Sequence, residues 1–261
     1  MKEDFINQIN DSFVEFSKRT NGRFPAKLKT IRNNAQNSFN SIGFPTKKNE
    51  EWKYADTSFI FNNDFKFPTE DEINYKGITD IKEFLINGKK DNIVVLINGR
   101  FSKELSRINT ESERIKIGSL AEAMVYKAAT IEKHFAQYAN FEKDPFVALN
   151  TMFATDGCYI RANEGVILEH PIHIIYINTA FNNAPIIQPR NLIIVGECSQ
   201  LKIYETYHTI GDKPVFQNAV TEIFLKRFAN IEHYKVQNNN NSYYIDSTQV
   251  QQKRTSIYTN N

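Results

Sequence analysis

Apolar residues recur at helical spacing in the first part of the chain and give way to short strand-like runs after Gly157. Phe5, Ile9, Phe13 and Phe16 fall four and three apart, as do Leu28, Ile31, Ala35 and Phe39, so each series places one apolar stripe on a helix. Asn21-Gly22 separates the two, Pro25 opens the second and Gly43 ends it, which predicts an antiparallel hairpin or packing on a common neighbour. In the next segment Pro45 excludes a continuous helix, and Trp52 with Tyr54, two apart, predicts a short strand pinning a ring pair against the helices. A short helix over 79–87 carries Ile81, Phe84 and Leu85 inward. Residues 91–101 predict a strand, an Asn98-Gly99 turn and a return strand. Ser119-Leu-Ala-Glu122 is a capping box opening a long helix to about Asn140. Asp144 and Pro145 then start a helix carrying Phe146, Leu149, Met152 and Phe153, which Asp156-Gly157 ends.

The remainder is β material in the runs 159–162, 166–169, 172–177, 192–195, 201–206, 220–225, 231–236 and 243 onward. Gly165, Gly196, Gly211-Asp212 and the asparagine-rich tract 237–242 punctuate them as turns or a solvated loop. Within this region 191–207 is echoed thirty residues later by 221–237. An apolar run (Ile193, Ile194, Val195; Ile223, Phe224, Leu225) is followed by a small or polar turn, then by alternation through Tyr204 or Tyr234. Self-similarity at such a period marks stacked units that cannot bury their apolar faces alone. The expected fold is therefore α+β: an N-terminal helical and mixed region over 1–115, linking helices over 116–157 and a β-solenoid over 158–261. A β-sandwich is the alternative. The last unit has nothing after it to cover its edge, so the solenoid is expected to be incomplete and the chain a piece of a longer one.

Composition narrows the function classes. Thirty-two basic against 30 acidic residues leave a net charge of +2, which supplies no broad field for nucleic acid or an anionic membrane. Two cysteines, Cys158 and Cys198, are too few for a disulfide framework and point to a reducing cytoplasm. The N-terminus carries acids where a signal peptide carries bases. The longest clean apolar run, 93–97, is far short of the roughly eighteen residues of a membrane span.

Catalytic motifs are missing: there is no phosphate loop, His-Glu-x-x-His, Gly-x-Ser-x-Gly or Cys-x-x-Cys. His170 and His173 bracket Pro171 at a spacing that suggests a metal, but three residues apart on an extended chain they face opposite ways and read as solvated or core-edge side chains. His208 and His233 lie in or beside repeat strands and read as structural. Cys158 and Cys198 read as small buried hydrophobes. Glu197, Glu205, Glu222 and Glu232 offer acids for a glycosidase or lyase pair, against which stands simple surface solvation. Trp52 with Tyr54 reads as an inter-element core plug before a sugar or base platform.

Several separated segments resemble one family. Gly43-Phe-Pro-Thr-Lys-Lys-Asn-Glu-Glu-Trp-Lys-Tyr-Ala-Asp56 resembles the N-terminal signature of the SufD family, within the SufB/SufD superfamily of iron–sulfur cluster assembly scaffolds. Ala148-Leu-Asn-Thr-Met-Phe-Ala-Thr-Asp-Gly157, Glu164-Gly-Val-Ile-Leu-Glu-His-Pro-Ile172, Gln188-Pro-Arg-Asn-Leu192 and Ile231-Glu-His-Tyr-Lys-Val-Gln237 are similar to its core segments in the same order. The resemblance implies an N-terminal helical region, a right-handed parallel β-helix and a C-terminal helical region. It also implies a scaffold without enzymatic activity that works with SufB and the ATPase SufC. The family's C-terminal helices contact the ATPase and its late rungs meet SufB, and this sequence is expected to stop before both. No catalytic, cofactor-binding or metal-binding residue is carried over; no cofactor is expected on this chain alone, the cluster being assembled by the complex.

Overall fold

The computed structural model describes residues 2–47, 49–73, 75–86, 90–110, 113–237 and 242–261. Helix α1 (Lys2–Arg19) buries Phe5, Ile9, Phe13 and Phe16, the expected stripe. Helix α2 (Ala26–Ile42) buries Leu28, Ala35 and Phe39, but Arg32 completes its stripe while Ile31 is only half-buried. Gly43, at φ 66°, donates its N–H to the Phe39 carbonyl and ends the helix. The expected strand at Trp52 and Tyr54 is instead a 3-10 turn, Glu50–Trp52. That tighter winding lets Trp52 pack on Phe146 at 4.9 Å and sends Tyr54 into solvent at 93% exposure.

Short elements follow: α3 (Phe59–Asn62), β1 (Phe65–Lys66) and α4 (Glu70–Ile73). The helix expected over 79–87 is one 3-10 turn, Lys82–Phe84, although Ile81, Phe84 and Leu85 do pack inward; its last residue, 87, lies outside the described residues. Strand β2 (Asn92–Ile97) returns through Asn98 and Gly99, both at positive φ, into β3 (Arg100–Phe101), as the Asn-Gly pair predicts.

Strand β4 (Ile115–Ser119) precedes α5 (Leu120–Tyr126), and Ser119 caps it by accepting from the Glu122 N–H. The long helix expected to about Asn140 breaks at Lys127 into α5 and α6 (Ala128–His134). It stops there because the N–H groups of Ala136, Tyr138 and Ala139 donate to the Glu222 carboxylate, and a continuing helix would have used them internally. Helix α7 (Pro145–Phe153) starts as predicted, with Asp144 accepting from the Phe146 and Val147 N–H groups.

Strands β5 (Cys158–Ala162), β6 (Ile172–Ala180), β7 (Ala184–Ile187), β8 (Arg190–Val195), β9 (Gln200–Gly211), β10 (Val215–Leu225), β11 (Asn230–Gln237), β12 (Ser242–Gln252) and β13 (Ile257–Asn260) complete the chain. Residues 238–241 of the asparagine tract lie outside the described residues. The run 166–169 contributes only a bridge, Ile167 with Gln200.

The strands stack into a parallel β-helix rather than a sandwich. One sheet runs β1-β7-β10-β8-β5-β4 with β12 also on β10, and the other β13-β11-β9-β6-β2-β3. The sequence echo is the rung itself: Asn191 faces Thr221 and Gln200 faces Asn230, both in parallel register. Between the sheets lies one apolar interior that includes Ile160, Ile174, Ile193, Ile203, Ile223 and Ile231. Gly165, Cys198, Phe228 and Thr255 form successive left-handed corners joining the sheets, with φ from 55° to 67°, and Gly165 and Cys198 donate their N–H groups to the next rung at Glu197 and Arg227.

Helix α7 is buried on all nine residues, its two polar side chains, Asn150 and Thr151, being hydrogen-bonded inside the protein. It lies between the seven-stranded sheet and the stripes of α1 and α2, so those two helices share a common neighbour. Phe153 meets Phe13 and Phe16 at 5.7 and 5.3 Å, and Phe146 meets Phe216 of β10 at 6.3 Å. Gly157 follows where β5 starts; at φ 153° its added Cβ would sit 1.9 Å from the Arg190 carbonyl oxygen, so no other residue fits. Among the described residues no helix is long and apolar enough to cross a membrane.

Candidate functional site

Alternation along β9 turns Leu201, Ile203, Glu205 and Tyr207 toward the interior. A fully buried carboxylate therefore interrupts an apolar column. Lys235 lies opposite it in the next rung, with Nζ 3.7 Å from Glu205, 2.5 Å from Asp246 of β12 and 2.8 Å from the Thr248 hydroxyl. His233 Nε2 is 2.9 Å from Glu205, and its Nδ1 is 2.9 Å from the Tyr258 hydroxyl. With the ring neutral, both contacts are satisfied by a proton on Nε2 and a hydrogen bond from Tyr258 to Nδ1. The Tyr207 hydroxyl donates to the other Glu205 oxygen. Tyr207 stacks on Tyr176 at 4.6 Å, and Asn191 links the Tyr176 hydroxyl to Thr221 at 2.6 and 3.0 Å.

The two carboxyls of this cluster are driven apart. Burial pushes Glu205 up, but the Lys235 charge, the His233 imidazole and the hydrogen bonds from His233 and Tyr207 outweigh it and hold the group below the usual carboxylate range. Burial raises Asp246; the neighbouring Glu205 charge adds to this, and Lys235 does not overcome it. Of the two carboxyls, Asp246 thus takes up a proton before Glu205. Burial pushes Tyr258 up to about 12, which keeps its hydroxyl a donor. The arrangement can hold one ionised carboxylate in the solenoid and exchange protons around it. The nearby Cys158 thiol is not activated, since burial, then the Glu205 and Asp156 charges, push it well up.

The other sequence-derived candidates scatter. Cys198 is exposed at a rung corner, not buried as expected, because the corner's left-handed backbone carries its side chain outward. His170 sits in a bend before β6, partly exposed. His173 is buried against the Thr206 hydroxyl at 2.9 Å, and the His208 ring lies tilted against Phe84, their centres 4.7 Å apart. Glu197 pairs with Arg227 at 2.6 Å and Glu232 with Lys202 at 2.9 Å, both on the surface. Surface solvation fails for Glu205 and Glu222, each of which is 0% exposed. Glu222 accepts three backbone N–H groups and the Arg190 guanidinium at 2.6 Å. Arg190 also donates to Asn150 and Thr151 of α7 and lies over the Phe135 ring at 4.9 Å. Among the described residues no group of three or more His, Cys, Asp or Glu side chains converges as a metal site.

Sequence reasoning missed Lys235, Asp246, Tyr207 and Tyr258. The signal was present in the alternation, which puts Glu205 on the inward face, and in the echo, which puts Lys235 beside it.

Rungs with an apolar interior broken by one buried charged cluster, flanked by a helical layer clasped to one sheet, define a parallel β-helix protein. The chain belongs to the SufBD family: the SufBD protein N-terminal region matches residues 3–174, and the SufBD core domain of SUF system FeS cluster assembly matches residues 176–261. The chain is 26% identical over 236 residues to an iron–sulfur cluster assembly SufBD family protein of Synechocystis sp., covering 87% of this chain and 51% of the relative. It is 22% identical over 264 residues to Protein ABCI7, chloroplastic, of Arabidopsis thaliana, covering 98% of this chain and 54% of the relative. It thus spans about half the length of these curated relatives.

Proposed function

We propose that this chain is part of a noncatalytic scaffold subunit of the SUF machinery, SufD-like within the SufB/SufD superfamily and acting with SufB and the ATPase SufC in a reducing cytoplasm. The nascent iron–sulfur cluster is cargo of that complex. The observation that carries the reading is the succession of N-terminal and core family matches over both the helical layer and the rungs. The SufD-like assignment draws on the segment 43–56, whose Phe44 and Trp52 both pack on Phe146.

A β-helical carbohydrate-active enzyme using paired carboxylates has less support. It needs two acids on one outer face, whereas Glu197, Glu205, Glu222 and Glu232 each meet their own cation and none lies in register with another. Co-purification of the complete parent protein with SufB and SufC under reducing conditions tests the proposal. Recovery of both is expected, and recovery of neither overturns it.

A further inference from the structure

His134 closes α6 as a buried ring with one nitrogen unaccounted for. It is 6% exposed, its ring centre lies 5.0 Å from that of Phe224, and Nδ1 meets the Tyr138 hydroxyl. Burial, then the Glu222 charge, pushes Tyr138 up to about 12, so its hydroxyl stays a donor. With Tyr138 donating to Nδ1, a neutral imidazole carries its proton on Nε2. That atom has no hydrogen-bond partner among the described residues and, unlike the Nε2 of His208, it is not sealed from solvent. His134 lines a hollow of about 450 Å³ between α6 and the corner edge of the seven-stranded sheet.

The stacked rungs make this hollow, and cations surround it. Gly196, Lys226 and Lys253 take the same step in successive rungs, their N–H groups donating to the Ala162, Val195 and Leu225 carbonyls. A Cβ on Gly196 would stand 2.4 Å from the Asn163 carbonyl carbon, so that level carries no side chain and the space beside Lys226 stays open. Lys133 of α6 lines the hollow too, as does Arg161 of β5, which the Thr130 hydroxyl of α6 holds at 3.1 Å. None of the three cations pairs with an acid among the described residues. Glu164 is the one acid among the described lining residues. All three charges reach the His134 ring: burial lowers its pKa first, then Lys133 and Arg161, with Lys226 adding less and Glu222 opposing.

We propose that this hollow is a binding site for a diphosphate group, with His134 Nε2 and the Arg161 guanidinium as donors and Lys133 and Lys226 as flanking charges. A carboxylate fills one guanidinium fork and leaves the two ammonium groups unbalanced. A diphosphate carries enough charge and acceptor oxygens to meet cations that approach from a helix, a strand and a rung corner.

The test titrates inorganic pyrophosphate into the full chain by calorimetry, against chloride at matched ionic strength, with citrate and uridine diphosphate as further arms. Saturable one-to-one binding with a dissociation constant of about 0.1 mM or tighter is expected, with citrate weaker. Tighter binding of uridine diphosphate places the group on an ester, and equal or weaker binding places it on the free anion. No saturable binding above chloride, or a preference for citrate, overturns the proposal. Arg161→Gln and Lys226→Gln, both at exposed positions, should each weaken pyrophosphate at least about fivefold. An unchanged affinity in either overturns the assignment. Lys103→Gln, after β3 on the other sheet, should change it by less than about twofold, and a loss there equal to that of Arg161→Gln means bulk charge rather than a site and overturns it too. Pyrophosphate should also move the His134 ring titration, followed by NMR, to higher pH, because a bound anion favours the imidazolium; no movement removes Nε2 from the site.

Discussion

Glu222 and Glu205 are both stripped of solvent, and they are held in opposite ways. Glu222 stands at the seam between helical layer and solenoid, where its donors are three peptide N–H groups and a guanidinium. None of these changes charge in the ordinary pH range. Glu205 stands inside the rungs, where its partners are the side chains of His233, Tyr207 and Lys235, and Lys235 is shared with the second carboxyl, Asp246, which burial raises. The same side chain is thus a fixed clasp in one place and part of a proton-responsive cluster in the other. The difference lies in whether backbone or side chains supply the donors.

The largest expected effect breaks the clasp. Glu222→Ala strands Arg190 and three N–H groups, and should cost about 3–5 kcal/mol of stability, read as a lowered urea midpoint. A loss under about 1 kcal/mol would show that the helical layer docks without it.

Acid titration of stability separates the two sites next. His173 must be removed first, because burial and then His208 lower its pKa to about 4. A histidine kept neutral by folding contributes stability that is full above its ordinary value of 6.5 and lost as pH falls toward 4, here about 3 kcal/mol. His173→Gln should flatten that limb in urea melts at stepped pH.

In the His173→Gln background the cluster shows itself. Glu205 is held down, so its contribution is present above its ordinary value of 4.5 and fades as pH falls through the lowered folded value. Asp246 is held up, so its protonation on the way down from neutral acts with the opposite sign. Glu205→Gln should remove the most acidic loss, and a persistent limb there would place its cause elsewhere. Smaller still, Tyr258→Phe removes one hydrogen bond to His233 and should cost about 1 kcal/mol; no loss would mean that water replaces the hydroxyl. Smallest, Cys198→Gly relieves a left-handed backbone and should raise stability by about 0.5–1 kcal/mol, seen as a higher midpoint.

The rungs were legible because parallel pairing at constant register copies one strand's pattern onto the next, and the echo from Asn191 to Thr221 is that copy. The stripes of α1 and α2 were legible because each helix buries one side only and leaves the other in solvent. Glu222 was not, since every residue of β10 except Phe224 is buried and alternation along that strand carries no information. Nor was the end of α6, which is decided by donors aimed at a carboxylate 86 residues away. Trp52 was read correctly as a plug and wrongly as a strand residue, because ring burial constrains position more than backbone shape.

The stacked corners also set where the chain can change length. Val195, Leu225 and Gln252 end their strands at the same remove from Cys198, Phe228 and Thr255. The two later rungs nevertheless differ in size: Glu222 lies opposite Leu192, and Gln249 opposite Glu222. The difference is absorbed on the far side, where β9 leads to β10 and β11 to β12. A residue inserted at a corner would shift every following side chain to the other face, whereas a far-side insertion leaves the column in step. Accepted single-residue insertions and deletions in these later rungs should therefore gather along one edge of the molecule, leaving their corner edge fixed in length.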